Sequence, residues 1–191
     1  MNIEKYIIKK GSYLYRFVNC EPSKIIMGMT PKSEQYGRCD KNQGIYYCSR
    51  SISALNLEFS DKDLTKGSLL KAEVMDDIIC GCVTDSATHK KLRGRVDGEN
   101  QKLVHSEVLE KFDYDIKTTY EETNAITDMV LQKFPEGIAY SSVNGMDAIV
   151  GSIVFYVADG NNDFGPFENI ALTELGFKKI KQLPPEKWHH S

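Results

Sequence analysis

The chain has 191 residues, 41 % hydrophobic and 27 % charged, close to the average for a soluble globular protein and long enough to bury a core without disulfides or a metal. Its formal net charge of −3 excludes a general basic field for gripping nucleic acid. No apolar run approaches the length that crosses a bilayer.

A single domain over 1–191 is the expectation. The first ten residues lack the apolar core of a signal peptide, so a cytoplasmic location is expected. The basic clusters at 89–95 and 178–181 read as solvated surface. The five cysteines read as buried thiols, and Cys80 and Cys82 alternate onto one face of a strand. A Cys-x-Cys pair without a second Cys/His pair gives no metal site.

In chain order, residues 13–18 are aromatic and β-branched and read as the first strand. Arg16 lies inside it, either at an edge with its head in water or aimed at an anion. Residues 21–36 read mostly as loop, with a helical turn near 23–27. The run 44–49 is the second strand. Ser51 caps a following helix whose stripe is Ile52, Leu55 and Phe59. Glu58 projects near that stripe, three residues after Leu55 and four after Ala54. Strands follow at 68–75 and 78–83. The polar stretch 84–101 reads as a long surface excursion and 103–112 as a short helix.

Thr118 and Thr119 each stand three residues before a glutamate, the spacing of a capping box. The helix they introduce has its stripe at Ile126, Met129, Val130 and Phe134, and Pro135-Glu136-Gly137 stops it. Strands are expected at 138–143 and 149–157, with Asn144-Gly145 turning between them. Residues 168–181 read as a helix and then a strand, followed by a loose tail with Pro184-Pro185. The order is that of an α+β protein, mixed and mostly antiparallel, with flanking helices and no βαβ rhythm.

Glycine-rich nucleotide fingerprints, a Gly-x-Ser-x-Gly elbow, a histidine-based triad and metal-ligand clusters are all missing. What remains is chemistry run by arginine, tyrosine, glutamate and serine. Arg38, Tyr46, Tyr47 and Glu58 fall within about two dozen residues. Arginine grips phosphate through paired hydrogen bonds, tyrosine stacks on flat rings, and a carboxylate stabilises a developing positive charge. Tyr46 and Tyr47 point to opposite faces of one strand, and Tyr46 reads as the core residue.

Tyr15-Arg16, Gly37-Arg38, Tyr47-Cys48-Ser49 and Ala54-Leu55-x-x-Glu58 resemble the opening pattern of the RES domain family. The later half fits too, through Thr123-Asn124-Ala125-Ile126-Thr127-Asp128, Gly137-Ile138-Ala139-Tyr140-Ser141-Ser142-Val143 and Ile153-Val154-Phe155. The match covers about 14–157 and leaves 158–191 as a C-terminal extension. The chain departs from the pattern at Cys39-Asp40, at Ser152 and in the insertion at 84–101.

The resemblance implies a fold similar to ADP-ribosyltransferases and a toxin that degrades NAD. Cleavage of the nicotinamide–ribose bond would run by phosphorolysis or hydrolysis, with NAD as substrate, no cofactor and no metal. It implies Arg38, Glu58, Ser142 and Tyr47 as catalytic residues, and Arg16, Arg38, Tyr47 and Ser142 as the residues that hold NAD. Inorganic phosphate, a cognate antitoxin or immunity protein and a second copy in a homodimer are the implied partners, with no membrane or nucleic acid. Two alternatives stand beside it. One is a mono-ADP-ribosyltransferase acting on a protein or nucleic acid; the other is a non-catalytic binding module, which the departures at Cys39-Asp40 and Ser152 motivate.

Overall fold

The computed structural model describes residues 1–25, 28–29, 36–52, 55, 67–96, 117–141 and 167–187. Glu58, Ser142, the expected helix at 103–112 and the expected strand at 149–157 lie outside them.

The architecture is mixed α/β, built on one nine-stranded, mostly antiparallel sheet. The chain opens with a strand the sequence reading passed over, β1 (Ile3–Ile8), so 13–18 is the second strand, β2 (Tyr13–Val18). Charged Glu4 and Lys5 interrupt the apolar pattern of β1. A short 3-10 turn, Pro22–Lys24, follows. Next come β3 (Tyr46–Ser49), β4 (Ser68–Val74) and β5 (Ile78–Val83).

The surface excursion expected at 84–101 is corrected. It begins with an α-helix, α1 (Ser86–Arg93), capped by the Asp85 carboxylate, which accepts from the Thr88 amide. His89 and Leu92 of α1 are fully buried, so the basic cluster here is one face of a packed helix. Two short strands, β6 (Arg95–Val96) and β7 (Lys117–Thr118), pair in parallel. Then come α2 (Tyr120–Lys133), β8 (Gly137–Tyr140), β9 (Asn169–Leu172), α3 (Glu174–Phe177), β10 (Ile180–Gln182) and β11 (Glu186–Lys187).

The sheet order is β1-β5-β8-β9-β3-β2-β4-β10, with β11 also on β4. Among the described residues, only β5 and β8 pair in parallel within it, and the chain between them carries α1 and α2. A sequence scan for alternating strands and helices misses such a single crossover. The C-terminal segment is likewise not peripheral. β9 lies mid-sheet, hydrogen-bonded to β8 on one side and β3 on the other, and all four of its residues are buried. α3 and β10 are the helix and then strand expected within 168–181; β10 and β11 both cover the edge of β4, β11 where a loose tail was expected.

The β1–β5 ladder runs to Ile8 opposite Ile78, and the β2–β4 ladder starts at Tyr13 opposite Glu73. Both chains therefore turn a corner together. Gly11 takes it at φ +81°, a left-handed conformation that suits glycine. Its amide donates to the Val74 carbonyl at 2.8 Å, and the Val74 amide donates to the Ser12 carbonyl at 2.9 Å. Asp77 clamps the corner, accepting from Lys9 Nζ at 2.8 Å and from the Lys10 amide at 2.9 Å. Those bonds, Lys9 first, hold its carboxyl below the usual range.

The curled sheet encloses one core of Ile8, Leu14, Tyr46, Cys48, Val74, Ile78, Cys80 and Ile170 with their neighbours. Cys80 and Cys82 both face it, as their alternation predicts. All five cysteines are free thiols, and burial pushes Cys80 up to about 12 and Cys82 to about 11. The other sheet face joins α1 and α2 over Ile45, Val83, Leu92, Ile126, Val130 and Ile138. The capping box of α2 is made by Thr119 and Glu122. Its buried face is Thr123, Asn124, Ile126, Thr127, Val130 and Leu131, whereas Met129 is 45 % exposed. The inward stripe is thus rotated from the expected one, because polar Thr123, Asn124 and Thr127 share it with the aliphatic residues. In the segment after β3, Leu55 is buried and its amide donates to the Ser51 carbonyl at 3.3 Å, a helical bond. Ile52, expected on that stripe, is exposed.

Helix α2 and the sheet approach closely at Gly81. A Cβ there would sit 2.4 Å from Val130 Cγ1 and 2.8 Å from Phe134 Cδ2. Gly81→Ala is expected to lower stability by about 1–3 kcal/mol through overpacking, measured as a reduced urea midpoint with unchanged m-value.

Candidate functional site

The loop at 36–42 carries Arg38 and is tied down by side chains from three directions. Asn124, buried on α2, donates from Nδ2 to the carbonyls of Gly37 at 2.7 Å and Tyr120 at 2.6 Å. Its Oδ1 accepts from the Lys41 amide at 2.9 Å. From β3, the Tyr47 hydroxyl accepts the Cys39 amide at 3.0 Å. Within the loop, buried Asp40 accepts the Gly37 amide and closes a tight turn. At its margins Lys41 pairs with Glu121 at 2.8 Å, Tyr36 donates to the same carboxylate at 3.0 Å, and Asn42 donates to Asp128 at 2.6 Å.

Arg38 reaches from this loop to the C-terminus of α1. Its Nη1 donates to the carbonyls of Gly94 at 2.7 Å and Leu92 at 3.2 Å. Carbonyls at a helix C-terminus lack partners within the helix and carry partial negative charge, so a guanidinium is well placed there. The effect is to fix the guanidinium in space. Tyr47 packs its ring against the core under the helices, and burial raises its phenol strongly. Cys39 is buried beside Thr127, and burial pushes its thiol up to about 11.

Arg16 is elsewhere. It lies on the interior side of β2, with Nη1 donating to the Gly28 carbonyl at 3.1 Å and its guanidinium carbon 5.1 Å from the Tyr46 ring centroid. Tyr46 is 1 % exposed and faces the enclosed core, while Tyr47 faces the helices. The choice of Tyr46 as the core residue therefore agrees with the structure. The sheet also separates Arg16 from the Arg38–Tyr47 group. Its contacts include a carbonyl and an aromatic face.

A second polar group forms where β3, β9 and β8 end. Ser49 and Tyr140 both face Asn169 across the ladders, so these strands finish level. Ser141, buried, comes next after β8. Its amide lies 3.4 Å and its hydroxyl 3.3 Å from His89 Nε2. The His89 ring meets Phe167 edge-on at 5.4 Å. The Phe167 carbonyl accepts from the Tyr6 hydroxyl at 3.1 Å, and Arg50 donates to that hydroxyl in turn. Sequence reasoning missed the roles of His89 and Asn124. The signal for His89 was Asp85 capping a run with buried spacing at His89 and Leu92 before Gly94. For Asn124 it was a polar residue beside an apolar stripe.

Among the described residues, no three His, Cys, Asp or Glu side chains gather as a metal-ligand set, and no helix is long and apolar enough to cross a membrane. Comparison with protein-family models, with curated proteins and with solved structures finds no match to this chain.

Tyr47→Phe leaves the buried Cys39 amide without its acceptor. The expected cost is about 1–3 kcal/mol, with faster hydrogen exchange at that amide; unchanged exchange would mean the hydroxyl does not hold the loop.

Proposed function

We propose that the chain is an NAD-degrading enzyme of the RES type, on a fold akin to that of ADP-ribosyltransferases. It cleaves the nicotinamide–ribose bond and acts as a toxin, held in check by a cognate antitoxin that covers its site. The observation that supports this most is the level ending of β3 and β8 on either side of β9. Neighbouring strands lie about 4.8 Å apart, so the two ends are about 10 Å from each other. The chain leaves one through Ser141 to Ser142 and the other into the segment that carries Glu58.

Cleavage develops oxocarbenium character on the ribose. Glu58 stabilises that charge, and Ser142 orients the sugar or the nicotinamide. Nicotinamide departs neutral, so no general acid is required. Arg38, fixed by the α1 carbonyls, takes the pyrophosphate, and Tyr47 holds the Arg38 loop in place. The burden of phosphate binding rests on Arg38 rather than Arg16, because Arg16 is across the sheet.

A binding module that keeps the fold without the chemistry is the second reading. The same bonds favour it, since Arg38 and Tyr47 both have structural work. One assay separates the two. Purified protein incubated with NAD, with and without phosphate, is expected to release nicotinamide. Glu58→Ala should lose at least about 100-fold in rate, as removal of a transition-state electrostatic partner does. A folded wild-type protein that releases none under either condition leaves the binding module. Covalent label transferred from NAD to a protein or nucleic acid would instead mark an ADP-ribosyltransferase.

A further inference from the structure

His89 is fully buried on α1. Its Nε2 meets the Ser141 amide at 3.4 Å and the Ser141 hydroxyl at 3.3 Å. An amide N–H only donates, so Nε2 accepts and the ring is neutral. A proton on Nε2 would set one N–H against another, in a place closed to water. α1 has eight residues, too few to be stable without packing, and His89 and Leu92 anchor it. The Leu92 and Gly94 carbonyls at its C-terminal end are those that accept from Arg38.

α1 packs against α2, β7 and β8. The buried face of α2 carries no charge, and its Glu122 pairs on the solvent side with Lys91 of α1 at 3.2 Å. β8 brings Tyr140 as its titratable residue, and β7 brings Lys117. α1 itself adds Lys90, Lys91 and Arg93, and the loop at 36–42 adds Arg38, all opposing a cation at His89. The His89 ring meets Phe167, whose neighbour is Glu168. Ser49 and Tyr140 both lie opposite Asn169, so Arg50 and Ser141 are level with Glu168. Glu168 is the carboxylate at this end of β9; burial holds its carboxyl above the usual range, and the charge of Arg50 partly offsets this.

We propose that α1 is an acid-sensitive clasp on Arg38: protonation of His89 loosens the C-terminal half of α1 from β8, and with it the two carbonyls that hold the guanidinium. The proton enters during local opening, when the ring reaches water. An open His89 takes up a proton below about pH 6.5, the ordinary histidine value, and the closed ring does not. The open state therefore gains about tenfold for each pH unit below that value, and above it the clasp is indifferent to pH. The backbone of the Arg38 loop stays in place, because Asn124 and the Tyr47 hydroxyl hold it and neither titrates in this range.

The test is amide hydrogen exchange and histidine NMR on the full chain at about pH 7.5 and about pH 5.5, either side of the ordinary histidine value. With rates corrected for the intrinsic effect of pH, opening at the Ser141 and Gly94 amides is expected to rise about tenfold at the lower pH in wild type. At both values these amides should open more readily than the Ile170 amide in mid-sheet. The His89 ring of the folded protein should stay neutral at the lower pH. In His89→Gln the side-chain oxygen replaces Nε2 as acceptor and does not titrate, so the rise should vanish. In Glu168→Gln it should persist. An equal rise in His89→Gln, its loss in Glu168→Gln, a charged His89 ring in the folded protein, or opening no easier than at Ile170 each overturns the clasp. If His89→Gln does not fold, the wild-type ring titration and Glu168→Gln still decide.

Discussion

The corner shared by residues 9–12 and 75–77 is the constraint on which the rest of the sheet depends. Two antiparallel ladders meet there, β1 with β5 and β2 with β4, and one turn joins β1 to β2 while another joins β4 to β5. Because β4 runs into β5 across three residues, the sheet path that leaves β5 through β8, β9, β3 and β2 must come back to β4. That return encloses the core around Tyr46, Ile78 and Ile170 and leaves the opposite face for α1 and α2. Gly11 provides the backbone conformation, and Asp77 ties the turn to the two lysines beside it.

Polar residues on buried faces do the positioning around Arg38. Thr123, Asn124 and Thr127 lie among the aliphatic side chains of α2, and Asn124 has three backbone partners. Such a residue costs helix stability when exposed and contributes specificity when every partner is met. The loop at 36–42 is therefore held by the helix and by β3 together. A shift of α2 along the sheet would move Arg38 with it, and the close contact at Gly81 limits that shift.

The sheet divides the chemistry-bearing side chains. Arg38 and Tyr47 belong to the helical face, and Arg16 belongs to the interior beside Tyr46. The strand ends hold a separate set of Arg50, Ser141, Glu168 and His89. Alternation along β3 is enough to explain the first division, since adjacent residues of a strand point oppositely. The strand-end set depends on β9, whose four residues bring together segments more than a hundred positions apart in the chain.

Much of the framework was legible in the sequence. The aromatic and β-branched runs of β2, β3, β4, β5 and β8, the capping box at Thr119 and Glu122, and the stop after Phe134 all follow from local propensity and spacing. So does the placing of Tyr46 and Tyr47 on opposite faces. β1 and β9 were hidden, the first by its charges and the second by brevity beside a helix. α1 was hidden because its inward residues are a histidine and a leucine in a basic stretch. The sequence by itself determined the α+β class and the strand faces. Only the tertiary structure decided that β9 lies mid-sheet, that Arg16 and Arg38 are on opposite faces, and that Glu168 stands level with Ser141. Side-chain alternation is a local property that each segment carries alone, whereas strand order and register come from pairing distant segments, and no local pattern encodes the partner.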